Sequence, residues 1–257
     1  MLADLVAGAL EDAAERQNTR GLDVVEAAAT AAPPALDALS FLAPADRVKI
    51  IAEVKRASPS RGALATIPDP AELAARYAAG GASAISVLTE QRKFLGSLAD
   101  LEAVRAAVEI PVLRKDFIAT EYQVLEARAA GADLVLLIVA ALDQPTLVRL
   151  HTLITELGMT PLVETHDAVE VSRAVDLGAR LVGVNARNLS TFELDIDLFG
   201  RMADRIPAGT IKVAESAVSS AADVAHYRAA GADVVLVGEA LVTGHDPVAT
   251  LKEFLAV

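Results

Sequence analysis

The feature that most constrains the fold of this chain is a repeat. GGASAISVL from Gly80, AGADLVLLI from Ala130, LGARLVGVN from Leu177 and AGADVVLVG from Ala230 share one form: a helix end, a small-residue stop and a β-rich apolar run. They recur at roughly 50-residue intervals. Between them lie four more apolar runs: KIIAEV from Lys49, PVLRKDF from Pro111, TPLVETH from Thr160 and IKVAES from Ile211. The eight runs stand about 25 residues apart, and a helix-patterned segment follows each. Several of these segments open with a capping signal: Asp69 before Pro70, Ser97, Thr120, Pro145 in a first turn, Ser219 and Asp246. The segments after the fifth and sixth runs begin at His166 and Asp195. Side chains that cap exposed backbone N–H groups mark helix starts in this way.

Alternation of strand and helix implies a parallel sheet. Runs that are apolar almost throughout imply strands buried on both faces. Eight such units in about 210 residues fit an α/β fold, the closed (β/α)8 or TIM barrel. A doubly wound open sheet is the alternative, weakened by the eightfold count and by the missing glycine-rich turn after the first strand. Residues 48–257 are assigned to the barrel and residues 1–47 to an N-terminal helical extension, broken at Pro33-Pro34 and expected to cap one end. Leu2, Leu5, Val6, Ala9 and Leu10 fit one face of its first helix. No linker divides the chain, so residues 1–257 read as a single domain.

In a barrel of this kind the active site lies at the C-terminal ends of the strands. Glu53 and Lys55 end strand 1, Thr89-Glu90 strand 2 and Arg114-Lys115-Asp116 strand 3. Strand 4 stays apolar. Glu164 ends strand 5, Asn185 and Arg187 follow strand 6, Glu215-Ser216 strand 7 and Gly238-Glu239 strand 8. Taken singly, Glu90 or Arg114 reads equally well as a solvated loop charge. The set reads otherwise. Val48, Ile50, Ala52 and Val54 alternate with Lys49, Ile51, Glu53 and Lys55, and the second set faces the interior if Glu53 does. A buried carboxylate needs a partner, and Lys55 or Lys115 supplies one. The turns after strands 7 and 8, AESAVSS and LVGEALVTG, stand at helix starts where backbone N–H groups bind phosphate in this fold. Ser58-Pro59-Ser60-Arg61-Gly62 is a turn that brings hydroxyl donors. His151, His166, His226 and His245 have no metal-ligand spacing and read as surface or structural.

Composition removes other classes. The chain has no cysteine, which excludes disulfides, thiolate metal sites and a cysteine nucleophile, and suits a reducing, cytoplasmic setting. A net charge of −12 without a basic run argues against nucleic acid and anionic membranes as partners. No apolar run reaches the roughly 18 residues of a membrane-spanning helix. The N-terminus has early acidic residues and no basic stretch, unlike a signal peptide.

EVKRASPSRG, LRKDF, LVETH, GVNARNL and AES, in this order, resemble the indole-3-glycerol phosphate synthase family of tryptophan biosynthesis, across essentially the whole chain. The resemblance implies 1-(2-carboxyphenylamino)-1-deoxyribulose 5-phosphate as substrate. It implies a reaction that closes a pyrrole ring with loss of CO₂ and then water, needing no metal or organic cofactor. Carried over by motif, Lys115 is the general acid for ring closure, and Glu164 and Glu53 are acid/base partners. Lys55 holds the substrate carboxylate; whether it also serves as acid in dehydration stays open. Asn185 orients substrate hydroxyls, and Glu215 and Ser216 complete the polar rim. Ser58, Arg187 and the backbone around Ser216-Ala217 and Gly238-Glu239 hold the phosphate. Phe94, Phe117, Leu136 and Leu189 form the pocket for the anthranilate ring.

One departure stands out: the family's Glu-Ser-Gly reads Glu215-Ser216-Ala217 here, which predicts weaker phosphate binding if Ala217 must adopt positive φ. Rival readings are an isomerase related to phosphoribosylanthranilate isomerase, which uses a cysteine absent here, and a Schiff-base aldolase, whose strand-6 lysine is replaced by Asn185. A non-catalytic phosphosugar binder is a further rival, weighed against by the intact set of charged residues. A monomer is expected, since no apolar stripe is spare.

Overall fold

The computed structural model describes residues 1–189, 191–244 and 246–257, so His245 lies outside the described residues. Eight strands form the centre: β1 (Lys49–Val54), β2 (Ala84–Leu88), β3 (Val112–Lys115), β4 (Leu134–Ile138), β5 (Thr160–Thr165), β6 (Leu181–Asn185), β7 (Ile211–Glu215) and β8 (Val234–Val237). Each lies parallel to its neighbours, and the sheet closes where β1 pairs with both β2 and β8, with Ile51 opposite Ala84 and Lys49 opposite Val234. Closure leaves no strand edge unpaired. The barrel is therefore the closed form and not the open doubly wound sheet.

Alternation sorts the strand side chains into two cores. Ile50, Ala52 and Val54 point outward to buried helix residues such as Tyr77, Leu101, Leu150 and Phe254. Ile51, Leu113, Leu162, Leu181, Val213 and Leu236 point inward and fill the barrel. Glu53 is in phase with Ile51, so it points inward too.

The helices that follow the strands are α4 (Pro70–Ala79), α5 (Leu98–Ala107), α6 (Glu121–Ala129), α7 (Gln144–Glu156), α8 (Ala168–Asp176), α9 (Leu198–Ala203), α10 (Ala221–Ala229), α11 (Glu239–Val242) and α12 (Pro247–Phe254). Asp69, Ser97, Thr120, Asp143 and Asp246 accept first-turn N–H groups as caps. Three starts fall later than the sequence suggests. The cap of α10 is Ser220 and not Ser219. α8 begins after the cap Asp167 rather than at His166, and α9 begins after Asp197 rather than at Asp195.

Three helices precede the barrel: α1 (Leu2–Thr19), α2 (Leu22–Ala31) and α3 (Ala38–Leu42). They do not cap one end; they reach both. On α3, Ala38 and Leu42 join the interior cluster from below, and Leu39 and Ser40 line a small cleft with Arg180, Gly209 and Ile211 at the strand starts. Leu36 N–H donates to Asp133, just before β4, at 2.7 Å. On α1, Leu2 and Leu5 line the cavity at the opposite, C-terminal end of the strands. Arg16 holds Glu126 of α6 through two bonds of 2.6 and 2.9 Å, and Arg92, after β2, holds Glu11 and Asp12. The amphipathic pattern gives the helices but not where each one docks.

Candidate active site

The inward strand positions change from apolar to charged toward the C-terminal ends. Glu53 is 1% exposed and lies between two ammonium groups: Lys55 Nζ is 2.7 Å from one oxygen and Lys115 Nζ 3.2 Å from the other. Lys115 also lies 3.7 Å from Glu215. Burial alone would raise the Glu53 pKa, but the two lysines outweigh it and bring it down to about 2. Burial alone would lower that of Lys115; Glu53, Glu215 and Glu164 outweigh it and push it above the ordinary lysine range. The ammonium is thus fully protonated at neutral pH.

Two glycines make room for this layer. A Cβ on Gly183 would fall 2.1 Å from Glu215 Oε1, and one on Gly238 would fall 2.4 Å from Glu53 Oε1 and 2.9 Å from Lys55 Nζ. Both positions give up side-chain volume to a buried carboxylate.

Lys115 is held from behind. Arg114, one residue out of phase, points outward and is fully buried. Its guanidinium donates to Asp116 at 3.0 Å, Thr89 at 3.2 Å and the Gln123 carbonyl at 2.7 Å. Glu90 is likewise no solvated charge: it accepts from the N–H groups of Arg92, Lys93 and Phe94 at 3.0, 2.7 and 2.8 Å. That wraps the loop so that Phe94 meets Phe117 with ring centroids 6.2 Å apart.

Glu164 accepts from Asn185 Nδ2 at 3.1 Å, and Asn185 Oδ1 accepts from Ser216 Oγ at 2.8 Å and Arg187 N–H at 3.0 Å. His166, read from the sequence as surface or structural, is 13% exposed and lies beside Glu164: its Nε2 is 3.1 Å from Glu164 Oε1 and its Nδ1 3.0 Å from Glu170 Oε2. Burial would lower the His166 pKa, but the two carboxylates bring it up to about 10. Glu164 is held low, against its burial, chiefly by His166. Glu215 is pushed well above the carboxylate range, first by burial and then by the Glu164 charge. Neither Glu215 oxygen has an aligned hydrogen bond among the described residues. The sequence signal for His166 was its spacing: it stands two residues beyond Glu164.

A cavity of about 560 Å³ opens over this charged layer. Of the residues singled out in the sequence, Glu53, Lys55, Ser58, Phe94, Lys115, Phe117, Leu136, Glu164, Asn185, Arg187, Leu189, Ser216, Ala217, Gly238 and Glu239 line it. Glu215 does not; it lies beneath the wall, fully buried. At one end Phe94, Phe117, Leu136 and Leu189 are joined by Leu2 and Leu5 of α1. At the other, Ser216 (φ +69°) and Ala217 (φ +57°) turn the chain after β7, and α11 starts after β8. A short hairpin, Ala57–Ser58 with Gly62–Ala63, leans over this end. There Arg61 meets Glu239 at 3.1 Å and Arg187 meets Ser60 at 3.4 Å. The hairpin strands have two residues each and leave no periodicity to detect; Arg61 was visible only as part of the turn motif.

The site therefore has an apolar slot, a charged floor carrying donors and acceptors of protons, and a polar end rich in N–H and hydroxyl donors. Among known proteins, the family described as indole-3-glycerol phosphate synthase matches residues 2–254. The chain is 74% identical over 257 residues to the indole-3-glycerol phosphate synthase of Leifsonia xyli subsp. xyli, covering 100% of this chain and 98% of that protein. It is 57% identical over 256 residues to indole-3-glycerol phosphate synthase 1 of Streptomyces coelicolor, covering 100% and 95%. Among solved structures, the 3-hexulose-6-phosphate synthase of Salmonella typhimurium superposes with a TM-score of 0.67 at 18% identity, over 81% of this chain and 97% of that one, a likeness of fold.

Proposed function

The chain belongs to the indole-3-glycerol phosphate synthase family, and on that premise we propose how its residues divide the work. The enzyme is a carboxy-lyase of tryptophan biosynthesis. It converts 1-(2-carboxyphenylamino)-1-deoxyribulose 5-phosphate into indole-3-glycerol phosphate with loss of CO₂ and water. The ring carbon bearing the carboxylate bonds to the ribulose carbonyl carbon while an acid protonates the carbonyl oxygen. CO₂ leaves and returns its bonding pair to the ring. The new hydroxyl then departs as water with a second proton, and a base removes the proton whose loss forms the double bond.

Lys115 is the acid of ring closure. The observation that carries this reading is its place: a charged ammonium at the cavity wall, between the apolar slot and the polar end, fixed by Glu53 and by the Arg114 network behind it. Lys55 binds the substrate carboxylate and provides the proton for dehydration, with Glu53 holding both lysines. Glu164, kept ionised, collects the proton, and Asn185 and Ser216 align the hydroxyls. Glu215 completes the set from below. Phe94, Phe117, Leu136 and Leu189 take the anthranilate ring, while Ser58, Arg187 and the N–H groups of Ser216, Ala217, Gly238 and Glu239 take the phosphate. We take the chain to be one domain and a cytoplasmic monomer that binds no nucleic acid. No described helix is long and apolar enough to cross a membrane.

The test is direct. The chain, dialysed against EDTA, is mixed with the carboxyphenylamino-deoxyribulose phosphate and indole fluorescence is followed. A rise supports turnover without added metal; binding without a rise would favour the non-catalytic reading. Ala217 gives a second prediction. A Cβ in the left-handed region costs about 1–2 kcal/mol, and here it does so in the turn assigned to phosphate. Ala217→Gly is expected to lower KM a few-fold with kcat unchanged. Tm should move little, because glycine also frees the unfolded chain. An unchanged KM would detach Ala217 from the phosphate.

A further inference from the structure

We propose that His166 is a positioning residue for Glu164: clamped as an imidazolium between Glu164 and Glu170, it keeps Glu164 ionised and leaves the proton of the buried carboxyl pair on Glu215. The proposal rests on Glu164 being the proton acceptor.

The clamp is built by the entry to α8. Thr165 Oγ1 donates to the Gly183 carbonyl at 2.7 Å, fixing the end of β5. Glu170, in the first turn of α8, accepts from the His166 backbone N–H at 2.8 Å, and the same oxygen lies 3.0 Å from ring Nδ1. Asp167 caps the helix by accepting from Val169 and Glu170 N–H. The first turn of a helix favours a carboxylate, and the bond from the His166 N–H keeps Glu170 in place. The ring is thereby aimed at Glu164, with Nε2 3.1 Å from Oε1 and off the hydrogen-bond axis.

The protonation state follows from donor counting. A neutral imidazole has one N–H and one lone pair, whereas an ionised carboxylate only accepts. With a carboxylate oxygen beside each nitrogen, either neutral tautomer sets a lone pair against a lone pair. The imidazolium sets none.

The charged groups facing this pair are Lys115 from β3, Glu215 from β7 and Glu170 from α8; Glu53 from β1 acts on Glu215 through space. Two neighbouring buried carboxyls do not both ionise readily. Glu164 has Asn185 Nδ2 and His166 beside it, while Glu215 has no aligned donor. The proton therefore rests on Glu215. His166 itself does not line the cavity, so it acts through Glu164 and not on substrate.

The unaltered enzyme gives the first test. In ¹⁵N-histidine NMR the His166 ring is expected to stay doubly protonated through pH 8, whereas an ordinary histidine titrates near pH 6.5. Titration of His166 near that value would overturn the proposal. The second test is His166→Gln, which keeps a donor and removes the charge. Glu164 then gains protons more readily, so the acid limb of the kcat profile moves to higher pH by about one unit. That is a roughly tenfold loss below the limb, with KM and the alkaline limb unchanged. A uniform loss at every pH with the limb unmoved would mean a structural role and defeat the proposal. If the variant does not fold, the titration decides alone. Glu164→Gln separates the premise: full activity there would remove Glu164 as acceptor while the titration still reports on the clamp.

Discussion

Replacing Lys115 with methionine lowers kcat by about 10²–10⁴-fold and leaves KM within a few-fold, because the lost proton transfer is made in the transition state. Methionine keeps the length of the side chain and removes the charge. The cost to stability is smaller than the about 3–5 kcal/mol typical when one member of a buried pair is deleted. Glu53 keeps Lys55 at 2.7 Å, and burial and the Glu164 charge push the Glu215 carboxyl toward its neutral form, so neither is left as a bare buried charge. Steady-state kinetics and a thermal melt on one preparation separate the two effects. A variant retaining kcat within tenfold would return the acid role to Lys55.

Gly183→Ala is expected to damage both stability and turnover. The new methyl falls 2.1 Å from Glu215 Oε1. The β6 backbone cannot retreat, since it is paired along its length with β5 and β7. Glu215 must move instead, toward Lys115 and Glu164. Overpacking of this kind costs about 1–3 kcal/mol, and Tm falls by about 2–4 °C for each kcal/mol in a chain of this size. kcat falls as well, because the displaced carboxyl disturbs both proton-carrying groups. The double variant Gly183→Ala with Glu215→Ala restores the room. It should recover the Tm lost to the methyl but not the activity. If the two changes add independently, Glu215 is not what the glycine accommodates.

Most of the barrel could be read before the structure, and for a physical reason: its units repeat. Each strand announces itself by an apolar run and several helices by a cap, as Asp69, Ser97, Thr120 and Asp246 show, whereas α9 and α11 start without one. The charged floor was legible because Glu53 and Lys55 share one strand face, and the partner expected for Glu53 is present twice over. What stayed hidden depends on contacts between distant segments. Arg114 was ambiguous in the sequence, although its phase against Lys115 marks it as outward. The histidines lack metal-ligand spacing, and that pattern carries no information about Glu164, the neighbour that gives His166 its place. The docking of α1 and α3 at opposite ends had no local signal at all. Ala217 reads in the sequence as strained if φ is positive, and φ is +57°.

The helix that closes the lower end of the barrel also sets an order in time. α3 leaves the ribosome before any strand exists, yet it shares its cleft with Arg180, Gly209 and Ile211, which are made much later. It also meets β2, made early, but its cleft partners follow only after β5, and contacts of such long sequence separation form slowly. A segment made before every strand is thus fully secured only late. In refolding followed by pulsed hydrogen exchange, α3 amides are expected to gain protection after those of the central strands. Until then Ala38 and Leu42 are only partly covered on the nascent chain, a window in which a chaperone can hold it.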